Sequence, residues 1–300
     1  MKRHIKKYAN EADEIADINA GILRNKYVAL IADEHRIDWN TKDDDAYAKM
    51  PLTFEIVSGG TINWKAKNVN NKSIKTIEYK LNNGEWTSIT SNAGSSAPTI
   101  NVVAGDIVQF RGNNTAYAEG ISYYSTFDGT TAYFNVYGNI MSLIDSVNYS
   151  SLTSIATDAF IRLFKGLNVI SANNLILRII NDQCYFELFS NCSLLISAPE
   201  LPSITIGRGS YNSMFAHCTS LTTAPALPAT TLVYQSYATM FYGCTNLNYI
   251  KCLATDISAQ NCTISWLNSV SSTGTFVKKV GVEWPSGSSG IPEGWTVIDA

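Results

Sequence analysis

The chain has 300 residues, a formal net charge of −3 and 45% apolar residues, enough for real cores and, by length, for two or three domains. No basic stripe interleaves with aromatic residues, so nucleic acid is not an expected partner. No apolar run approaches the roughly 18 residues that mark a membrane span. Charge is uneven: the first 50 residues hold 9 of the 22 basic and 10 of the 25 acidic side chains, and the remainder is rich in Ser, Thr, Asn and Tyr.

Glu11, Asp13, Glu14 and Asp17 interrupt what would be the apolar region of a secretion signal behind the basic start, so none is expected. Residues 5–23 read as a helix. Ile5, Tyr8, Ala12, Ile15, Asn19 and Ile22 recur at spacings of three and four, and a heptad frame places Asn19 at an a position, where a buried Asn fixes register. These six form the candidate oligomerisation or anchoring set; a helix packed on its own chain is the other reading of the same pattern. Lys26–Ile31 and Arg36–Trp39 flank the polar Asp33-Glu34-His35 and suggest a small hairpin. Asn40–Ala48 reads as a linker. Its run Asp43-Asp44-Asp45 reads as a solvated stretch, because no loop of spaced oxygen ligands surrounds it.

Residues 51–144 have the pattern of a small antiparallel β-sandwich. Leu52, Phe54 and Ile56 alternate, Gly59-Gly60 turns, and Ile62, Trp64 and Ala66 alternate again. Ile77, Tyr79 and Leu81 lead through Asn82-Asn83-Gly84 to Trp86 and Ile89, a strong hairpin signal. Ala104-Gly105-Asp106 and Asp128-Gly129 separate further short strands. Gly59-Gly60 is a turn and not a phosphate cradle, since no helix with a suitable Lys follows.

From about Ser150 to Ser272 the sequence repeats itself every 25 or 26 residues. Leu188-Phe-Ser-Asn-Cys-Ser-Leu-Leu195, Met214-Phe-Ala-His-Cys-Thr-Ser-Leu221 and Met240-Phe-Tyr-Gly-Cys-Thr-Asn-Leu247 align, with Leu163–Leu167 as a weaker first unit and Trp266–Val270 as a degenerate last one. Four apolar columns follow. Phe164, Phe189, Phe215, Phe241 and Leu267 form the first, and Leu167, Cys192, Cys218, Cys244 and Val270 the second. Ile170, Leu195, Leu221 and Leu247 form the third, and Ile176, Leu201, Leu227 and Leu253 the fourth. Columns of this kind build a core between stacked coils that no single unit could bury alone.

The same alignment weighs against a catalytic reading of His217 beside Cys218. Its equivalents are Gly166, Asn191 and Gly243, residues that tolerate positive φ, so the position calls for a left-handed turn after a short helical segment. Cys192, Cys218 and Cys244 share a column, and Cys184 and Cys262 lie three coils apart, too far to bridge. No Cys-x-x-Cys occurs. Reduced, buried thiols are expected, as in a chain folded in a reducing cytoplasm.

Met-Phe-x-Gly-Cys-Thr-x-Leu followed by Ala-Pro-x-Leu-Pro-Ala-Thr-Thr-Leu, matched best by residues 214–232 and 240–247, resembles the BspA-like leucine-rich repeats of gut Bacteroidales and their phages. Leu52-Thr-Phe, Gly59-Gly-Thr-Ile-Asn-Trp64 and Gly105-Asp-Ile-Val-Gln-Phe110 are similar to the β-module that often precedes such repeats. Gly138-Asn-Ile-Met-Ser-Leu143 resembles its joining segment, and Gly290-Ile-Pro-Glu-Gly-Trp295 the usual end. Residues 27–40 are similar to hairpins at the head of Bacteroides-phage structural proteins.

The expected architecture is multidomain and mainly β with α/β repeats. It comprises an N-terminal helix and hairpin (1–50), a small antiparallel β-sandwich (51–144) and a leucine-rich-repeat-like solenoid with a C-terminal cap (145–300). The resemblance implies a virion protein of the crAss-like phage type, a fibre or capsid-decoration protein. Its N-terminal segment would dock on other virion proteins, and its repeats would display an adhesive face to host-surface carbohydrate or protein. By analogy it would be a homodimer or homotrimer. A bacterial cell-surface adhesin is the alternative, weakened by the lack of a signal peptide or lipobox. Tyr211, Tyr234, Tyr237 and Tyr242 are the candidate contact residues, since Tyr gives large contact area at low entropy cost; ordinary surface or half-buried tyrosines are the competing reading. An enzyme is not expected. The repeat acids Asp158, Asp182, Glu187, Glu200 and Asp256 fill no column, so no catalytic, cofactor or metal residue is assigned.

Overall fold

The computed structural model describes residues 44–68, 73–93 and 97–300. The helix expected over 5–23, with Ile5, Tyr8, Ala12, Ile15, Asn19 and Ile22, and the hairpin of 26–39 lie outside the described residues. Asp44–Ala48, expected as linker, is a short helix, α1. Burial accounts for the difference: Tyr47 and Ala48 are 7% and 8% exposed, and the Tyr47 ring meets that of Tyr137 edge-on at 5.7 Å.

The remainder is mainly β. Strand β1 (Leu52–Ser58) lies between β10 (Tyr133–Asn139) and β7 (Ile107–Gly112), antiparallel to both, with Phe54 opposite Val136 on one side and Val108 on the other. β4 (Thr76–Leu81) flanks β7, and β5 (Thr87–Thr90) flanks β4. Alternation turns Leu52, Phe54, Ile56, Val108, Phe110, Phe134 and Val136 inward, and all are buried. Across this layer, β2 (Gly60–Asn63) pairs with β6 (Thr99–Val102). β9 (Tyr123–Thr126) pairs with both β3 (Lys65–Lys67) and β8 (Ala118–Glu119). The Phe54 ring lies 4.2 Å from Phe134 and 5.0 Å from Phe127, and Phe127 lies 4.9 Å from Trp64. Gly60 is required where the strands approach, since a Cβ there would meet the Ala132 nitrogen at 2.8 Å.

The boundary expected at 144/145 falls inside a continuous structure. β10 continues sideways into parallel β11 (Val169–Ser171) and β12 (Leu175–Ile176), pairing Phe134 with Val169 and Gly138 with Leu175. One apolar cluster runs from Leu52 to Trp295, and residues 44–300 form a single compact unit.

The repeats contain no α-helix among the described residues, which corrects the α/β character and the short helical segment expected of them. Each instead has a run of consecutive turns: 157–166, 182–191, 208–217, 234–243 and 260–269. The physical reason is a left-handed residue at every fourth position, for example Gln183, Glu187 and Asn191 at φ 52°, 52° and 62°. Those reversals prevent the i→i−4 ladder of a helix. The N–H groups divide into two sets. Alternate residues donate to the next coil, as in Tyr185 to Ser210 (3.1 Å), Glu187 to Asn212 (2.9 Å) and Phe189 to Met214 (2.9 Å). The residues between them donate three positions back, as in Phe186 to Gln183 and Leu188 to Tyr185, both at 3.1 Å. Buried backbone is thereby satisfied without regular secondary structure.

Beyond the turns, isolated parallel bridges join successive coils at Ser171 and Ser197, at Thr223 and Tyr249, and at Leu227 and Cys252. They widen into a parallel sheet of β13 (Tyr249–Cys252), β14 (Thr275–Lys278) and β15 (Thr296–Asp299). Two expected columns need correction. Val169, fully buried, takes the place assigned to Ile170, because β11 pairs it with Phe134 and the Ile170 carbonyl accepts from Ile196. Cys252, not Leu253, lies beside Leu227, and Ile176 packs with Tyr47 and Tyr137 instead of joining the main cluster.

Candidate functional site

The four candidate tyrosines divide into two kinds. Tyr211 and Tyr237 are each 1% exposed and so are not surface contacts, which corrects the expectation for both. They belong to a fifth column. Ring centroids step from Trp64 to Tyr117 (5.7 Å), Phe160 (6.1 Å), Tyr185 (6.0 Å), Tyr211 (6.1 Å), Tyr237 (6.0 Å), Trp266 (6.2 Å) and Trp284 (5.4 Å). Beside it run the phenylalanines of the expected first column, Phe164, Phe189, Phe215 and Phe241, at 5.3–5.9 Å, and Phe127 of the β-module extends them at 6.1 Å from Phe164. Burial raises the hydroxyls of Tyr185, Tyr211 and Tyr237 well above their ordinary value. The signal was present in the sequence: an aromatic residue stands four positions before each phenylalanine, at Phe160, Tyr185, Tyr211 and Tyr237.

Tyr234 and Tyr242 do reach the surface. Tyr234 is 37% exposed, at the first position of its turn run, with the Arg208 guanidinium of the preceding coil 5.2 Å from its ring. That contact fixes an aromatic face at the edge of the stack. Tyr242 is half-buried at the far end of the same run, its ring edge-on to His217 at 5.2 Å. The run is ten residues long, and these two tyrosines stand near its opposite ends. His217 has φ 61°, as its column requires, and its ring lies over Gly243, where a Cβ would meet Nδ1 at 2.4 Å. The imidazole therefore occupies space that only glycine leaves open.

The repeat acids bind the scaffold. Glu187 accepts from Arg162 at 2.8 Å and also pairs with Lys165. Those two cations hold its carboxyl below the usual range against the opposing effect of burial. Arg162 in turn donates to the Ile121 carbonyl at 2.6 Å and lies 5.4 Å from the Tyr124 ring, fastening the β-module to the first coils. Asp158 accepts from the Gly120 nitrogen at 3.0 Å, and Asp182 from that of Arg208 at 2.7 Å. Asp256 closes a local turn on Ser258.

All six cysteines are unpaired and buried. Cys192, Cys218 and Cys244 each direct Sγ at the carbonyl of the preceding coil's phenylalanine, at 3.1, 3.2 and 3.0 Å. Burial pushes Cys184, Cys192, Cys244 and Cys252 up to about 12, far from the thiolate a nucleophile needs. Among the described residues no three His, Cys, Asp or Glu side chains converge to hold a metal, and no helix is long and apolar enough to cross a membrane. Protein-family models, curated proteins and solved structures contain no match to this chain.

Proposed function

We propose that the chain is a structural virion protein, a phage fibre or capsid-decoration protein. In this reading the segment carrying Ile5, Tyr8, Ala12, Ile15, Asn19 and Ile22 docks on other virion proteins and assembles the protein as a homodimer or homotrimer. A β-sandwich then carries a BspA-like solenoid that presents its outward turn residues, Tyr234 and Tyr242 among them, to carbohydrate or protein on the host surface. The observation that supports this most is the pair of unbroken aromatic columns from Trp64 and Phe127 to Trp284 and Phe241. Side chains that carry chemistry elsewhere, namely cysteines, tyrosines and a Glu–Arg pair, are here used to stack and fasten coils. What varies freely from coil to coil is the outer surface, which suits a rigid display scaffold.

Mass spectrometry of purified particles from an infected culture tests the assignment, with antibody labelling to locate the chain. Recovery in stoichiometric amounts with the virion is the expected result. Absence from particles, with recovery in the outer-membrane fraction of uninfected cells, would replace it with the cell-surface adhesin.

A further inference from the structure

One group of side chains on the outer face of the β-module takes no part in the core. In β4, Ile77, Tyr79 and Leu81 pack toward the core, so by alternation Glu78 and Lys80 face outward. In β7, Val108 and Phe110 are buried, so Gln109 and Arg111 face outward. Pairing sets Gln109 beside Lys80 and Arg111 beside Glu78. Thr87 lies opposite Tyr79, so Trp86, one residue before it, comes level with Lys80 on the outer face. Trp64, Trp266, Trp284 and Trp295 belong to the core or pack against it, and among the described residues Trp86 is the tryptophan that does neither.

These side chains hold one another. The Arg111 guanidinium lies over the Trp86 ring at 4.1 Å and the Lys80 ammonium at 5.2 Å. Arg111 Nε donates to Glu78 Oε2 at 2.7 Å, which fixes the direction of the guanidinium fork. The turn that leads into Trp86 is pinned by Asn82, whose side-chain amide donates to Asp106 and whose side-chain carbonyl accepts from the Ile107 N–H, both at 2.9 Å. Trp86 is half-buried, so part of the indole stays open. Trp64, Trp266 and Trp295 each donate Nε1 to a carbonyl of the chain, at 2.9, 2.9 and 2.8 Å. Among the described residues Trp86 Nε1, both Arg111 Nη groups, Lys80 Nζ and the Gln109 amide have no such partner.

We propose that Trp86, Lys80, Gln109 and Arg111 form a binding site for a neutral pyranose unit. The open indole surface is electron-rich over its face and suits the C–H face of a sugar ring. The unpaired donors around it need oxygen acceptors, which the hydroxyls of the same ring supply. Charge decides against an anionic ligand: Glu78, and exposed Glu85 next to Trp86, balance Lys80 and Arg111. Single-stranded nucleic acid also stacks on aromatic rings, but its phosphates would meet those two carboxylates. Paired strands and the Arg111–Glu78 bond set the group in place before a ligand arrives, so binding orders little. The site lies on the β-module, apart from Tyr234 and Tyr242 in the repeats, and requires no virion, so it stands or falls separately from the function proposed above.

The full chain is assayed on an array carrying neutral hexopyranose oligosaccharides, their sialylated forms and single-stranded oligo-dT. The wild type should bind neutral saccharides. Trp86→Ala should weaken that binding about tenfold or more, and Trp86→Phe, which keeps a ring, should retain most of it. Saturation-transfer NMR should show the ring C–H protons of the bound sugar against the wild-type protein and not against W86A. A wild type that binds no neutral saccharide would overturn the proposal. Equal binding by wild type and W86A would also overturn it and leave recognition to the repeat face. Binding confined to oligo-dT or to sialylated forms would replace it with an anion site. Near-ultraviolet circular dichroism checks that W86A folds. If it does not, Lys80→Ala and Gln109→Ala, changes to outward side chains, decide: undiminished binding in both would overturn the proposal.

Discussion

The β-module and the repeats solve one burial problem in different ways. In the module, alternating strands place Phe54, Phe110 and Phe134 on one face, and antiparallel ladders satisfy the backbone within the layer. In the repeats no element is long enough to do this. Alternate amides are satisfied by the next coil, and each side chain is covered by its equivalent 25 or 26 residues away. A coil is therefore only as stable as the neighbours that cover it. The module also supplies the first members of both aromatic columns, Trp64 with Tyr117 and Phe127, and the first parallel strand, β10. It is therefore the N-terminal cap of the stack as well as its support.

That difference predicts its largest effect for separation of the two regions. A fragment of residues 145–300 loses β10, Tyr117 and Phe127 and exposes the first coil. It should lack near-ultraviolet circular dichroism and aggregate; a folded, soluble fragment would show that the repeats cap themselves. Next come the two kinds of tyrosine. Tyr211→Ala opens a cavity in a column and should cost about 3–5 kcal/mol by denaturant titration, whereas Tyr234→Ala at the surface should stay within about 0.5 kcal/mol. Similar losses at both would mean that the column does not carry the stack.

Gly243→Ala places a Cβ both at φ 72° and against His217. It should cost about 2–3 kcal/mol alone, and roughly 1–2 kcal/mol, the backbone part, when His217 is already Ala. A double-mutant cycle reads the difference, and additivity would remove the steric coupling. The smallest effect is on pH dependence. Buried thiols raised from 9.0 to about 12 stay protonated in the folded chain while the unfolded chain ionises. Their contribution is complete below pH 9 and is lost as pH rises towards 12. Stability should fall across that window, and less so in a variant with Cys192, Cys218 and Cys244 replaced by Ala than in the wild type.

Much of this was legible in the sequence where period and chemistry agree. The alternation of Leu52, Phe54 and Ile56, the phenylalanine and cysteine columns and the left-handed position of His217 all follow from spacing and residue type. The tyrosine column was missed because Tyr has two uses. Composition suggests an adhesive surface, and only the fixed offset of four residues before each phenylalanine marks Tyr185, Tyr211 and Tyr237 as core. The register slips at Val169 and Cys252 arise where coils are 25 residues long in one stretch and 26 in another, so a one-residue error exchanges a buried side chain for its neighbour. A short helical segment was expected before each left-handed position because such a residue commonly ends a helix, and the same residue also closes a run of turns. Left-handed Arg162, Glu187 and Thr239 carry no local signal for that conformation; cross-coil hydrogen bonds impose it.

The claim that the β-module and repeats are one body is tested most directly by hydrogen exchange of the full chain at increasing denaturant. Amides of β1 and β10 in the module should lose protection at the same denaturant concentration as those of Tyr185, Tyr211 and Tyr237 in the turns, in one cooperative step. Loss of protection in the turns while β1 and β10 remain protected would contradict it and return the repeats to the status of a separate domain.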